Sequence, residues 1–267
     1  MDSSSSVLQR AGPALEPIVA GNVLLGLACA LLLMIVLLAW LSGAQRMTTW
    51  YLLLLSSAAY CLSFLVLVGH QRGPEPPLQV CALSAVFIYS APPIVAGGVL
   101  LFVIELHLRM TSILASKAMG EKLVRFAPWG IVISHLIPFW TSLVTGLSDV
   151  TNIKRDSSGV FCHIENSLVP TALTGTMVVL YMILMFIVEG ATVIHLIRRR
   201  SAVRAIRLRG SYFPLHLFGR TLFFTLSGGF AIIIVLVINF VKDVSSELTV
   251  GADCRRPRLW HSAGMLF

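Results

Sequence analysis

Long apolar runs alternate with polar stretches along this chain. Six runs stand out: Ile18 to Leu41, Thr49 to Val68, Val80 to Ile104, Ala127 to Leu147, Pro170 to Ile194 and Thr221 to Val241. A helix of ~20 apolar residues, rising 1.5 Å per residue, covers the ~30 Å hydrocarbon layer of a bilayer. Each run therefore predicts one membrane span. The expected fold class is all-α: a polytopic transmembrane helical bundle over residues 18–241. A short polar segment, 1–17, precedes it, and a polar tail, 242–267, follows and is not expected to join the bundle.

Features inside the runs refine this picture. Pro92-Pro93 in the third run removes two backbone donors and predicts a kink near its middle. Such a break is tolerated where neighbouring helices satisfy the freed carbonyls, so this helix is expected inside the bundle. Pro170 opens the fifth run, where a missing N–H costs little. Gly73, Pro74, Pro76 and Pro77 make the stretch Gly69 to Gln79 a turn-rich loop. Ser148 to Val169 reads as a long polar loop. Composition adds weight: 57% of residues are hydrophobic and 12% charged, against about 25% charged in ordinary soluble domains. Met1 to Pro17 is polar and the first run is long and late, so an uncleaved anchor is expected rather than a secretory leader.

Charge sets the orientation. Arg46, then Arg109, Lys117, Lys122 and Arg125, then Arg198, Arg199, Arg200, Arg204, Arg207, Arg209 and Arg220 all fall in alternate gaps, twelve basic residues on one side. The other side holds five, Arg10, Arg72, Lys154, Arg155 and Lys242, to which the tail adds Arg255, Arg256 and Arg258. Lysine and arginine are retained in the cytosol, so the N-terminus is expected outside. The net charge of +8 thus belongs to topology. It is not a nucleic-acid footprint, which needs a folded basic face in water.

Five cysteines remain to be placed, one of which, Cys254, lies in the polar tail. Cys29 and Cys61 lie within runs and read as packing. Cys81 opens the third helix on the outer side, and Cys162 lies in the outer loop before the fifth. The orientation puts both in an oxidising compartment, so a disulfide is expected; the alternative is two free surface thiols. No Cys/His pair has metal-ligand spacing nearby, and no metal or other cofactor is expected.

The residues Gln79-Val80-Cys81, the broken helix at Pro92-Pro93, the stretch Gly159 to Cys162 and the cluster Arg198-Arg199-Arg200 together resemble a G-protein-coupled receptor. More narrowly, the arrangement is similar to the seven-helix receptor-like proteins of mushroom-forming fungi, which are loosely similar to the rhodopsin-like and cyclic-AMP-receptor-like groups. The likeness covers about Ile18 to Val241. It implies a seven-helix fold of which six spans are visible, and a truncated or mis-spliced gene is the expected reason that no seventh run follows. It also implies a multi-pass protein of the plasma membrane, an unknown extracellular ligand and a heterotrimeric G protein as partners besides membrane lipid.

The resemblance places ligand in the outer half of the bundle, where Tyr89, Ser90, His135, Thr174, Thr176 and Asn239 are the candidates. His135 sits near mid-membrane, where ionisable residues face inward and are often functional; the plainer reading is a neutral imidazole bonded to a backbone carbonyl. On the inner side, Glu105 and Arg109 are four apart and can pair on one helix face. They form either a lock beside the G-protein site or a solvated pair at a helix end. Where rhodopsin-like receptors have an acidic-Arg-Tyr triplet, this chain has Glu105-Leu-His-Leu-Arg109. Arg198, Arg199, Arg200, Arg204, Arg207 and Arg209 would contact the G protein, anionic lipid, or both; lipid alone is worth about 1 kcal/mol per basic residue. No catalytic residue is expected. There is no His-x-x-x-His box, Gly-x-Ser-x-Gly elbow or Walker-type loop. A secondary transporter and a non-signalling structural protein remain as other readings.

Overall fold

The computed structural model describes residues 15–43, 46–115, 121–156, 158–200, 218–223, 225–227 and 229–230, the side chains of 15, 114, 115, 121–125 and 127 excepted. The described chain is mostly helical. Its elements are α1 (Leu15–Leu41), α2 (Thr48–Leu65), α3 (Leu78–Ala115), α4 (Glu121–Ser148), β1 (Ile153–Arg155), β2 (Cys162–Ile164) and α5 (Val169–Arg198). All five helices are long and apolar enough to cross a membrane. Contacts divide the chain into two units, 1–214 and 215–267. In the second unit the described residues, Phe218 to Phe230 without 224 and 228, are helical. The sixth apolar run thus begins as helix; the rest of it and the tail lie outside the described residues.

Two stretches expected to be loops are structured instead. The polar segment after the third run is largely helix: α3 continues to Ala115 and α4 starts at Glu121 rather than Ala127. At 38 residues, α3 is about 57 Å long, well beyond the hydrocarbon layer. Nothing in Glu105 to Ala115 stops a helix, since that stretch has neither glycine nor proline. The polar residues there mark the end of the lipid layer, not the end of the helix. The loop before α5 contains an antiparallel hairpin that pairs Ile153 with Ile164, Lys154 with His163 and Arg155 with Cys162. Strands of three residues are too short for alternation to reveal.

Helix α3 is the organising element. Helices α2, α4 and α5 all pack on it, and α1 packs on α2. It is also the most buried of the five, as its proline pair implied. The helix runs on through Pro92 and Pro93. A proline at 93 cannot donate to the carbonyl of Tyr89 four residues back. The hydroxyl of Thr174 on α5 donates to that carbonyl instead, at 2.8 Å. The break is thus closed by a neighbouring helix.

Glycines let the neighbours approach. A Cβ on Gly97 would stand 2.9 Å from Ser134 Oγ on α4, and one on Gly98 would stand 2.9 Å from Ser56 Oγ on α2. The serine at 134 cannot simply turn away, because it donates to the Gly130 carbonyl at 2.7 Å and meets Tyr181 Oη on α5 at 2.8 Å. With its only proton committed to Gly130, Ser134 accepts from the tyrosine. Gly97→Val is therefore expected to cost about 1–3 kcal/mol by overpacking, read as a lower midpoint in thermal unfolding. Gly175→Val, on α5 with open space around it, should leave the midpoint unchanged.

Helix α1 is apolar all round and mostly exposed, as lipid-facing helices are. Cys29 and Cys61 are free and buried, packing with Ala58 between α1 and α2. Near the Cys81 end of the bundle, the amides of Asn22 and Gln71 exchange hydrogen bonds of 2.6 and 3.0 Å. They tie α1 to the loop that precedes α3.

Candidate functional site

Three polar constellations lie along α3. The first is the lid at the disulfide end. Cys81 and Cys162 are bonded, with Cα atoms 5.3 Å apart. Both are buried in a cluster with Leu67, Ala85 and Ile164. The bond fixes β2 onto the start of α3, and Cys162 N–H donates to Ser84 Oγ at 3.3 Å. Ile164 N–H reaches the Tyr89 hydroxyl at 3.4 Å. Inward-facing Ile153 and Ile164 pack on Gly146 of α4.

The polar side of the lid is equally engaged. The guanidinium of Arg155 donates to the carbonyls of His70, Gly73 and Pro74 at 3.0, 2.9 and 3.3 Å. It thereby clamps the loop before α3 to the hairpin. Asp149 caps the turn into β1, accepting from Thr151 N–H and hydroxyl and from Asn152. Gly159, at φ +73°, makes the tight turn between the strands that a side chain would resist.

Lys154 Nζ donates to Glu165 Oε2 at 2.6 Å. That hydrogen bond holds the Glu165 carboxyl below its ordinary 4.5, against an opposing desolvation, and it raises Lys154 above its ordinary 10.5. Glu165's contribution is complete above its ordinary value and is lost as pH falls through the lowered one. Lys154's is complete below its ordinary value and is lost as pH rises through the raised one. The pair is expected to hold across the neutral range and to release only in acid or strong base. The protection of the hairpin amides, taken relative to the intrinsic exchange rate at each pH, should fall in acid, and Glu165→Gln should remove that acid dependence.

The second constellation surrounds the proline pair. Tyr89 and Ser90 come from α3, His135 from α4 and Thr174 from α5. Ser90 is fully buried, and its hydroxyl returns to the Phe87 carbonyl of its own helix at 3.3 Å. The ring of His135 lies beside the Ser90 backbone and 5.5 Å from the Phe139 ring. The Ser90 backbone is near enough to act on the imidazole, but His135 Nδ1 makes no well-formed hydrogen bond and is shielded from solvent.

The third lies at the other end of α3, where Arg198, Arg199 and Arg200 are exposed at the end of α5. Glu105 is 1% exposed. Its Oε2 accepts from Thr49 Oγ1 of α2 at 2.5 Å, and its Oε1 accepts from Arg109 Nε and Nη2 at 2.9 and 2.6 Å. Two residues on, and so on the opposite side of α3 from Glu105, His107 Nδ1 meets Thr192 Oγ1 of α5 at 2.6 Å. Thr192 donates its proton to the Val188 carbonyl at 2.7 Å, so the imidazole nitrogen must be the donor. Glu189 is also buried here, on α5.

Of the ligand candidates read from sequence, Tyr89, Ser90, His135 and Thr174 gather at the proline break. Ser90 and Thr174 use their hydroxyls on backbone carbonyls there. Thr176 is exposed on α5 and does not join this group. Asn239 lies outside the described residues, as do Arg204, Arg207 and Arg209. The pair Glu105–Arg109 forms, but the picture of a solvated pair is corrected: its acidic partner is buried and held by α2. Thr49, His107, Thr192, Ser134 and Tyr181 were not anticipated, because isolated hydroxyls and a lone histidine carry no spacing that points to a partner on another helix. Among the described residues no three of His, Cys, Asp and Glu gather as a metal site. No protein-family model matches the chain, and no curated protein is detectably similar to it.

Proposed function

We propose that this chain is a receptor of the G-protein-coupled type, similar to the seven-helix receptor-like proteins of mushroom-forming fungi. In this reading it lies in the plasma membrane with its N-terminus and the disulfide end outside. It senses a ligand in the disulfide half of the bundle and acts on a heterotrimeric G protein at the arginine-rich end. The observation that carries the reading is the two-ended character of α3. At one end the Cys81–Cys162 bond holds a hairpin lid onto it. At the other, the buried Glu105 joins it to α2 while Arg109 remains 56% exposed. A helix that touches α2, α4 and α5 can carry a change at one end to the other as a rigid-body shift.

The test is nucleotide exchange. The full chain in lipid nanodiscs with purified Gα and Gβγ subunits should speed GDP release, and Glu105→Gln should alter the basal rate. Exchange equal to that of empty nanodiscs, for every Gα class and with extracts added as a ligand source, would refute the reading. Protease-accessible tags that place residues 198–209 on the cell exterior would refute the orientation.

A further inference from the structure

We propose that the hairpin between α4 and α5 is seated in lipid as well as on the bundle: Val150 and Leu168, its two feet, insert at the boundary between headgroups and acyl chains in the leaflet on the disulfide side. The proposal rests on the helices crossing a bilayer and not on the receptor reading above.

The two feet lie at one end of the hairpin. Glu165 N–H donates to the Asn152 carbonyl at 2.8 Å, and the Asn166 side chain donates to Asn152 Oδ1 at 3.2 Å. Val150 stands two residues before Asn152, and Leu168 two residues after Asn166. These bonds hold both feet where the hairpin joins α4 and α5. The apolar span of α4 ends at Ser148, and that of α5 begins at Val169. Each foot is therefore within two residues of a span end, at the depth where hydrocarbon gives way to headgroups.

Both side chains face away from the protein. Val150 is 40% exposed and Leu168 83%. Among the described residues of 149–168 these are the large apolar side chains left exposed, while Ile153 and Ile164 pack inward on α3 and α4. A single exposed apolar residue is ordinary, but the position of Leu168 is not. It is the N-cap of α5, and it makes no side-chain cap bond. Ser, Thr, Asn and Asp are favoured there because they bond free N–H groups. A leucine at that position forgoes the cap and gains nothing in water. It gains where its surroundings are hydrocarbon.

The adjoining surface shows what those surroundings are. Trp140, Val144 and Leu147 of α4 are all exposed. Spaced by four and three residues, they form one stripe along that helix. Val150 follows three residues further on. On the other side, Val169 is exposed beside Leu168. The face that α4 turns to the hydrocarbon layer thus continues onto the feet of the hairpin. The polar side chains there bond one another: Asp149 accepts from Thr151 and Asn152, and Asn152 pairs with Asn166. That lowers what it costs to bring them near lipid. The hairpin is then held from two sides, by the disulfide toward α3 and by lipid at its feet.

The experiment uses the full chain in nanodiscs. Leu168→Cys, in a chain with Cys29, Cys61 and Cys254 replaced by alanine, carries an environment-sensitive dye. Glu75→Cys, in the exposed loop before α3, carries the same dye as a reference. Both are compared after the Cys81–Cys162 bond and the unfolding midpoint are shown to be intact. Lipids spin-labelled high on the acyl chain should quench the dye at 168 and spare the one at 75. Iodide in the buffer should do the opposite. Iodide quenching at 168 equal to that at 75 would put the foot in water and overturn the proposal. A dye at 168 shielded from both quenchers would mean that protein covers this edge, and would overturn it as well.

Amide exchange on the chain with its native cysteines gives a second reading, and its sign separates the two surroundings. In lipid, Leu168→Asn should lower the protection of the hairpin amides at least about fivefold. Leu168→Trp, an aromatic suited to the interface, should keep it. In water, the asparagine would supply the missing cap, and protection would rise or stay as it is. Either of those results overturns the proposal. Neither readout involves Gα, so the receptor reading can fail while this one stands, and the reverse.

Discussion

Replacing Cys81 or Cys162 with serine is expected to lower stability by about 4.5 kcal/mol, the largest effect of any single change outside the helix cores. The bond closes a segment with a sequence separation of 81, and loop-closure entropy for ~80 residues is of that size. Both sulfurs are buried, so an unpaired hydroxyl left there adds to the loss. The lid depends on the bond more than the helices do, because β1 and β2 have three residues each and too little area to hold alone. Thermal unfolding in nanodiscs should show a lower midpoint for either variant. The double variant should be scarcely worse than the single ones, since one bond is lost once. Reductant should bring the native chain to the same midpoint. A midpoint untouched by both substitutions would mean that the lid stays seated without its covalent tie.

The second large effect is asymmetric. Arg109→Ala should destabilise the arginine-rich end by roughly 2–4 kcal/mol, and Glu105→Gln by about 1 kcal/mol or less. Glu105 is 1% exposed and Arg109 56% exposed. Without the arginine, a buried carboxylate keeps only the Thr49 hydroxyl as partner, and uncompensated buried charge is expensive. Without the carboxylate, the guanidinium simply turns to water or lipid headgroups. The glutamine keeps the shape and can still bond Thr49. A double-mutant cycle on thermal midpoints checks this. The double variant Arg109→Ala with Glu105→Gln should recover most of what Arg109→Ala alone loses. Equal losses from the two single changes would show that the pair acts as an ordinary surface ion pair, worth at most about 1 kcal/mol.

Most of the helical frame was legible before any coordinates. Spans are written in composition, because a residue facing lipid must be apolar whatever its neighbours. Five of the six runs correspond to helices that can cross a membrane. The disulfide was legible too, since Cys81 and Cys162 fall on one side of the alternating charge. Boundaries were less legible. α3 runs eleven residues past Ile104, to Ala115, because polarity tells where lipid ends and says nothing of where backbone hydrogen bonds end. The hairpin was invisible, since its strands are shorter than any periodicity can register.

The candidate site divides along the same line. Pro92-Pro93 announced a helix that needs outside help, and Thr174 supplies it at the Tyr89 carbonyl. Which residue would do so could not be read, because hydrogen bonds across 85 positions leave no trace in local pattern. The same holds for Thr49 with Glu105 and for Tyr181 with Ser134. Sequence alone determined that this chain is a set of apolar helices, where its positive charge gathers and which cysteines can meet, because these follow from the transfer of single segments between water and lipid. Tertiary structure alone decided that α3 is the hub, that Glu105 is buried and that a hairpin closes one end. Those outcomes depend on which faces pack together, and packing is a property of pairs of segments that no one segment encodes.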